Sequence, residues 1–353
     1  MIPVAKPILS GKEIEGIRAV LDSGILAQGK AVAEFEEKFA EYVGANHGVA
    51  TNSGTSALHT ALAALGVSEG DEVITTSFTF IATATSILMQ RARPIFCDID
   101  PQTYNIDPDQ IQEAITKRTK AIIAVHLYGL PCDMKPIMDI AQDNGLKVIE
   151  DACQAHGAEY HGKNVGSFGD AGIFSFYPTK NMTTGEGGMI TTSDSRVAEM
   201  AEMVRNHGQS QRYVHEIMGY NYRMTNIAAA IGLSQLKMLD QFNAKRRENA
   251  GYYDKSLLVK TPFVPEGMKH VYHQYTIEVE RREEFLKHLE RHGVGYGVHY
   301  PLPVHKQPLF RDYNDITLPN TEAASQRVVS IPVHPGLAKE ERELVVRTVN
   351  SCE

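Results

Sequence analysis

The chain has no tryptophan and only four cysteines among its 353 residues. Cys97, Cys132, Cys153 and Cys352 show no Cys-x-x-Cys spacing, which argues against a zinc or disulfide framework and reads them as buried neutral thiols. Long apolar runs are also missing: nothing approaches the roughly 20 residues a membrane helix needs. The opening stretch MIPVAKPILSGKEIEG turns polar too soon for a secretory signal. Clustered positive charge is scarce. With a net charge of −8, the densest basic stretch lies within Asn243 to Ala250 and reads as a solvated helix face. Neutralising nucleic-acid phosphates takes grouped Lys and Arg, so such a surface is not expected. These absences together predict a cytoplasmic protein that binds neither nucleic acid nor membrane.

What is present suits a globular protein with a large core. A hydrophobic share of 42% and a charged share of 22% are ordinary for that class, and the length allows two domains. Between about residues 47 and 192, seven apolar runs alternate with helical patterns: HGVAT, DEVITT, RPIFCDI, KAIIAVHLYG, LKVIED, AGIFSF and GGMITT. Such alternation predicts an α/β domain with a mainly parallel seven-stranded sheet between helices. Several runs are apolar at nearly every position, as in strands covered on both faces. SALHTALAALG places Ala57, Leu58, Ala61, Leu62 and Leu65 on one stripe, and DPDQIQEAI begins with capping residues. After Thr225 the segment NIAAAIGLSQLKMLDQFNAKRRENAGYYDKSL reads as one long connecting helix. HVYHQYTIEV then alternates as a strand, REEFLKHLERHG reads as a helix, and the last residues read as another. The expected division is a large domain over 1–245 and a smaller α+β domain over 246–353.

The chemistry concentrates around one lysine. Lys180 follows the strand AGIFSF, and Asp151 ends the strand LKVIED. Neighbouring strand ends would present an amine and a carboxylate together. Pyridoxal 5'-phosphate (PLP) needs that pair, a lysine for its aldehyde and an acid for its ring nitrogen. In NSGTSALHTALAALG, residues Asn52 to Ser56 lie between a strand and a helix, so first-turn amides and the hydroxyls of Thr55 and Ser56 can face an anion. The plainer alternative is that Ser53 or Thr55 only caps the helix. Ser175 in FSFYPTK could reach the same phosphate while Lys180 reaches the aldehyde. Gly185, Gly187 and Gly188 in GEGG allow close backbone approach, and the uncharged residues before Lys180 favour a depressed amine pKa. Gln154 could donate to the phenolic oxygen of the ring, whereas His156 has a structural alternative. His270 and His273 share an H-x-x-H spacing, but on a strand they would fall on opposite faces, which disfavours a metal site.

Several segments in one order carry a resemblance: GTSALHTALAALG, SFTFIATA, EDACQAHGA, FSFYPTKNMTTGEGG, GYNYRMTNIAAAIG, GVHYPLPVHKQP and IPVHPGL. Together the chain resembles the DegT/DnrJ/EryC1/StrS aminotransferases, PLP enzymes of fold type I that aminate keto sugars carried on nucleotides. The resemblance covers nearly the whole chain. It implies that Lys180 forms the internal aldimine, Asp151 pairs with the pyridine nitrogen, Gln154 lies near the phenolic oxygen, and Thr55, Ser56 and Ser175 hold the phosphate. Phe80 would stack on the cofactor, and Asn221 would reach the phosphate of a partner subunit, which implies a homodimer with a shared active site. Glu186, Arg223, His299, Tyr300 and His305 are the candidate substrate residues.

The implied reaction is a ping-pong transfer from an amino-acid donor, expected to be glutamate, to a nucleotide-linked keto sugar at C3 or C4. Two alternatives stand beside it, a PLP-dependent sugar dehydratase and a PLP-binding regulator without turnover. Relatives that dehydrate carry histidine where this chain has Lys180. The retained lysine therefore favours amine transfer.

Overall fold

The computed structural model describes residues 1–352. Seven strands form the central sheet: β1 (His47–Thr51), β2 (Glu72–Thr76), β3 (Arg93–Cys97), β4 (Thr119–Val125), β5 (Lys147–Asp151), β6 (Ala171–Ser175) and β7 (Gly188–Thr192). Their spatial order is β1-β7-β6-β5-β4-β2-β3. β7 runs antiparallel to both neighbours, and every other pairing is parallel. The sheet is the mainly parallel one expected, built from the same seven runs.

Strand alternation explains why those runs are apolar throughout. Along β2, β4, β5, β6 and β7 successive residues enter different cores, because neighbouring side chains point to opposite faces. Val73, Ile123, Ile149, Ile173 and Ile190 join one cluster with Leu58 and Leu62 of helix α3 (Gly54–Ala64). Before α3 in the chain come α1 (Lys12–Ser23) and α2 (Lys30–Val43). On the opposite face Phe174 and Met189 meet Phe35 and Phe39 of α2, while Ile74, Ile122 and Val148 meet Ile137 and Ala141 of a helix at Met134–Asn144. With helices on both faces, the exposed parts of the sheet are its two ends. Ligands in such sheets collect at the carboxyl ends of the parallel strands.

One glycine at that end tolerates no side chain. A Cβ added to Gly188 would lie 2.2 Å from Ser53 O and 2.7 Å from Thr51 Oγ1. Gly188 pairs with both Thr51 and Ser175, so it sits where three strand ends converge. Gly188→Ala is expected to cost about 1–3 kcal/mol through forced backbone displacement, checked by denaturant unfolding. A melting midpoint equal to the wild type would show that the loop yields freely.

A second core forms beyond the sheet. Ala250, Tyr253, Tyr275, Ile277, Leu289, Val329 and Val345 cluster there, joined by Ile2 from the amino-terminal segment. A two-stranded antiparallel ribbon, Tyr275–Glu278 with Val328–Ile331, forms its floor. The 246–353 segment does not keep to this core alone. Val304, Phe310 and Leu318 pack with Ala84 and Phe96 of the sheet-bearing part.

Three local expectations differ from the structure. The long helix after Thr225 is two, Asn226–Leu236 and Leu239–Ser256, separated at Lys237 and Met238. No Gly or Pro marks the break. The two halves serve different neighbours: Ala229 lies in the α2 core, whereas Ala250 and Tyr253 belong to the second core, so the break re-aims the chain. The 245/246 division falls inside the second of these helices. Within the basic stretch, Arg246 is only 3% exposed, because its guanidinium donates to the carbonyls of Tyr272 and His273 at 3.1 and 3.3 Å. Finally, only Tyr275–Glu278 of HVYHQYTIEV is a regular strand; Tyr272 has a φ of 45°, which breaks the alternation on which the opposite-face placement of His270 and His273 rested. Among the described residues no helix is long and apolar enough to cross a membrane.

Candidate active site

A cavity of about 580 Å³ opens at the carboxyl end of the sheet. Its wall collects residues at or just past the strand ends: Ser53, Gly54 and Thr55 after β1, Thr79 and Phe80 after β2, Asp151 at the end of β5, Ser175 at the end of β6 and Lys180 after it. Sequence-distant chemistry meets there because parallel strands end on one edge.

Asp151 is held by two hydrogen bonds. It is 6% exposed; its Oδ2 accepts from Thr83 Oγ1 at 2.8 Å and its Oδ1 from the Cys153 N–H at 3.3 Å. Thr83 is paired in turn with Thr79 at 2.9 Å, which fixes the hydroxyl that orients the acid. Lys180 faces the same cavity from a tight loop, its N–H donating to Tyr177 O at 2.9 Å. Burial pulls its amine below the ordinary lysine value, opposed in part by Cys153 and Asp151. A depressed amine pKa raises the neutral, nucleophilic fraction. Glu186 is exposed on the cavity rim, and its carboxylate makes no ion pair with Lys180.

At the start of α3, Ser53 and Ser56 form a reciprocal capping box: Ser53 Oγ accepts from Ser56 N at 3.1 Å, and Ser56 Oγ accepts from Ser53 N at 3.0 Å. Ser56 is thereby engaged by the helix start and is not on the cavity wall, whereas Thr55 and Ser175 are. The cap leaves the Gly54 and Thr55 amides on the cavity wall. Ser175 approaches the same spot, since a Cβ on Gly54 would lie 2.8 Å from Ser175 Cβ. Amides at a helix start beside a serine hydroxyl suit a phosphate.

On the other side of the cavity, Gln154 Oε1 accepts from the Tyr128 N–H at 2.8 Å and its Nε2 donates to Tyr300 OH at 3.1 Å. One N–H of the amide is left for a ligand. Phe80 is 55% exposed, unusual for phenylalanine, and its ring lies 6.3 Å from that of Tyr300. His299 also faces the cavity, with its Nδ1 3.1 Å from Ser330 Oγ; burial and the nearby Lys180 push its imidazole down to about 4.

Other sequence candidates lie elsewhere. His305 is fully buried, with its ring nitrogens 2.6 Å from Ser77 Oγ and 3.2 Å from Glu322 Oε1, and it anchors the 303–306 turn instead of facing the cavity. Arg223 donates to Asn206 and is likewise off the cavity wall. Asn221 is exposed and pairs through its backbone with Asn206, outside the cavity of its own chain. His156 is buried among Phe39, Phe174 and Phe176, and burial holds it near 3. Conversely, Thr79, Thr83, Tyr177 and Gln274 line the cavity without having been singled out in the sequence, and His273, weighed there only for a metal site, lines it as well. The threonines sit in SFTFIATA, already a recognised segment, so their spacing offered a signal; Gln274 offered none, and the strand reading of its segment set His273 aside.

Comparison with known proteins agrees with this geometry. Residues 7–350 match the DegT/DnrJ/EryC1/StrS aminotransferase family. A protein of Geobacillus stearothermophilus named a pleiotropic regulatory protein is 45% identical, over 94% of this chain and 91% of its own length. A UDP-N-acetyl-3-dehydro-alpha-D-glucosamine 3-aminotransferase of Acidithiobacillus ferrooxidans is 42% identical, over 93% and 90%. Among solved structures, S. venezuelae DesV in complex with a ketimine intermediate superimposes with a TM-score of 0.95 at 36% identity, covering 99% of this chain and 98% of that one. With the match spanning nearly every residue and the lysine, acid and helix start sharing one cavity, the chain belongs to the DegT/DnrJ/EryC1/StrS aminotransferase family.

Proposed function

We propose that this protein is a PLP-dependent aminotransferase that moves an amino group from glutamate to the keto group of a nucleotide-linked sugar in a ping-pong cycle. The observation that carries this is the joint presentation of Lys180 and a Thr83-anchored Asp151 to one cavity, with a helix start opposite. The residues fit PLP: the free amides of Gly54 and Thr55 and the Ser175 hydroxyl suit its phosphate, Asp151 its ring nitrogen, and Gln154 its phenolic oxygen. When bound, PLP supplies an electron sink for a substrate carbanion. Asp151 holds a proton at the ring nitrogen. Lys180 carries a proton to and from the substrate carbon, a task matched to an amine of lowered pKa. Phe80 offers an open aromatic face, and the His299 and Tyr300 segment closes the substrate side.

Asn221, exposed and outside its own cavity, is proposed to complete the phosphate site of a second subunit in a homodimer. The relative that acts on UDP-N-acetyl-3-dehydro-alpha-D-glucosamine supports a nucleotide-linked 3-keto acceptor. The relative named as a regulator gives the non-catalytic reading a foothold, and because a PLP-binding sensor would hold the cofactor through the same lysine, turnover is what separates the two. Incubating PLP-loaded protein with glutamate and a panel of 3-keto and 4-keto nucleotide sugars is expected to yield an amino sugar and 2-oxoglutarate by mass spectrometry. PLP binding without any product would favour the sensor.

A further inference from the structure

His273 and Gln274 are neighbours in sequence, and both line the cavity. A regular strand would send them to opposite faces. The turn that prevents this is heavily pinned: Tyr272 adopts a φ of 45°, the Val271 N–H donates to Gly129 O at 3.0 Å, and the Gln274 N–H donates to Tyr128 O at 3.2 Å. Buried Arg246 clamps the carbonyls of Tyr272 and His273, and His270 stacks on Tyr272 at 3.9 Å with 8° between the rings. So much backbone fixation has one visible product, two polar side chains delivered to the same wall.

Both are more than nine-tenths buried, at 6% and 5% exposure. His273 Nδ1 is fully enclosed, whereas its Nε2 keeps accessible surface and makes no hydrogen bond within the chain, so Nε2 is the nitrogen that the cavity can reach. Several neighbouring polar groups of the wall already have partners within the chain: Asp151 accepts from Thr83, His299 pairs with Ser330, and Gln154 bonds Tyr128 and Tyr300 with one N–H to spare. A polar nitrogen that opens on a largely buried wall without a protein partner is satisfied by water or by a ligand. Burial, with Lys180 and Arg246 next in effect, holds the His273 imidazole well below its ordinary pKa and therefore neutral. A neutral imidazole offers one donor and one acceptor, as an amide side chain offers both; a hydroxyl needs that combination, whereas a carboxylate only accepts.

We propose that His273 and Gln274 are specificity residues that hydrogen-bond ring hydroxyls of the sugar acceptor. This rests on the sugar aminotransferase reading. The test uses PLP-loaded wild type, His273→Phe, His273→Gln and Gln274→Leu, following each half-reaction by cofactor absorbance. Loss of one such bond is expected to lower kcat/KM for the keto sugar by about 10- to 100-fold, mainly through KM. The glutamate half-reaction should change far less, and His273→Gln should recover most of the loss. A deoxy acceptor should lose the same factor with the wild type but not with His273→Phe. Calorimetric titration with the amino-sugar product should show the same weakening. His273→Phe equal to wild type toward the keto sugar, or slowed equally in both half-reactions, overturns the proposal. A wild type reoxidised by no nucleotide-linked keto sugar overturns the function itself, and the proposal with it, and is told apart because the failure appears before any substitution.

Discussion

Replacing Lys180 with alanine is expected to reduce amine transfer by about 10⁴-fold or more, beyond the usual contribution of a proton-transfer group because the same amine also anchors the cofactor. The fold should survive. Lys180 lies on a cavity-lining loop, and its side chain makes no hydrogen bond that the sheet requires. Circular dichroism and the unfolding midpoint should therefore stay near wild type while steady-state turnover disappears. The pH dependence sharpens the test. The neutral amine is the nucleophile, and burial lowers its pKa, so capture of added PLP by the apoprotein should rise with pH and level off below the range of an exposed lysine. A plateau only at the ordinary lysine value would contradict the buried placement, and a Lys180→Ala protein with wild-type turnover would remove Lys180 from the mechanism.

Asp151→Asn should be the second most damaging change, slowing turnover by about 10²–10³-fold, the cost of losing one preorganised electrostatic partner. The substitution is nearly isosteric. Thr83 Oγ1 and the Cys153 N–H both donate to Asp151, and the amide oxygen of asparagine can keep one of these bonds. What asparagine cannot do is stabilise a proton on the ring nitrogen by charge. PLP should still bind, detected by absorbance, while kcat falls and KM for the acceptor moves little. Equal turnover by the asparagine variant would show that the acid is a structural anchor for Thr83 and nothing more. Thr83→Val offers a milder control, because it leaves the charge and removes only the orienting hydroxyl.

Much of this site was legible in the chain because it rests on local rules. Each of the seven sheet strands was visible as an apolar run, since strands covered on both faces must be apolar at nearly every position, as in Ile122 and Ile123 of β4. Lys180, Asp151, Thr55, Ser175, Gln154, Phe80, His299 and Tyr300 sit within short motifs, and all of them line the cavity. Ser56 was harder. A serine at a helix start can serve an anion or the helix, and the outcome depends on whether Ser53 and Ser56 reach each other, as they do at 3.0 Å. His305 shows the same limit, because its pairing with Ser77 joins residues far apart in the chain.

The amino-acid sequence by itself determined the layered α/β architecture, the family and which lysine and acid stand at neighbouring strand ends, because periodicity, strand-end position and motif are properties of neighbours along the chain. Tertiary structure alone decided which polar side chains remain free to meet a ligand. It assigned Ser56 to a helix cap, buried Arg246 under the carbonyls of Tyr272 and His273, and turned His273 and Gln274 onto one wall. The physical reason is that a hydrogen-bonding group is available only when no partner satisfies it, and those partners come from distant parts of the chain.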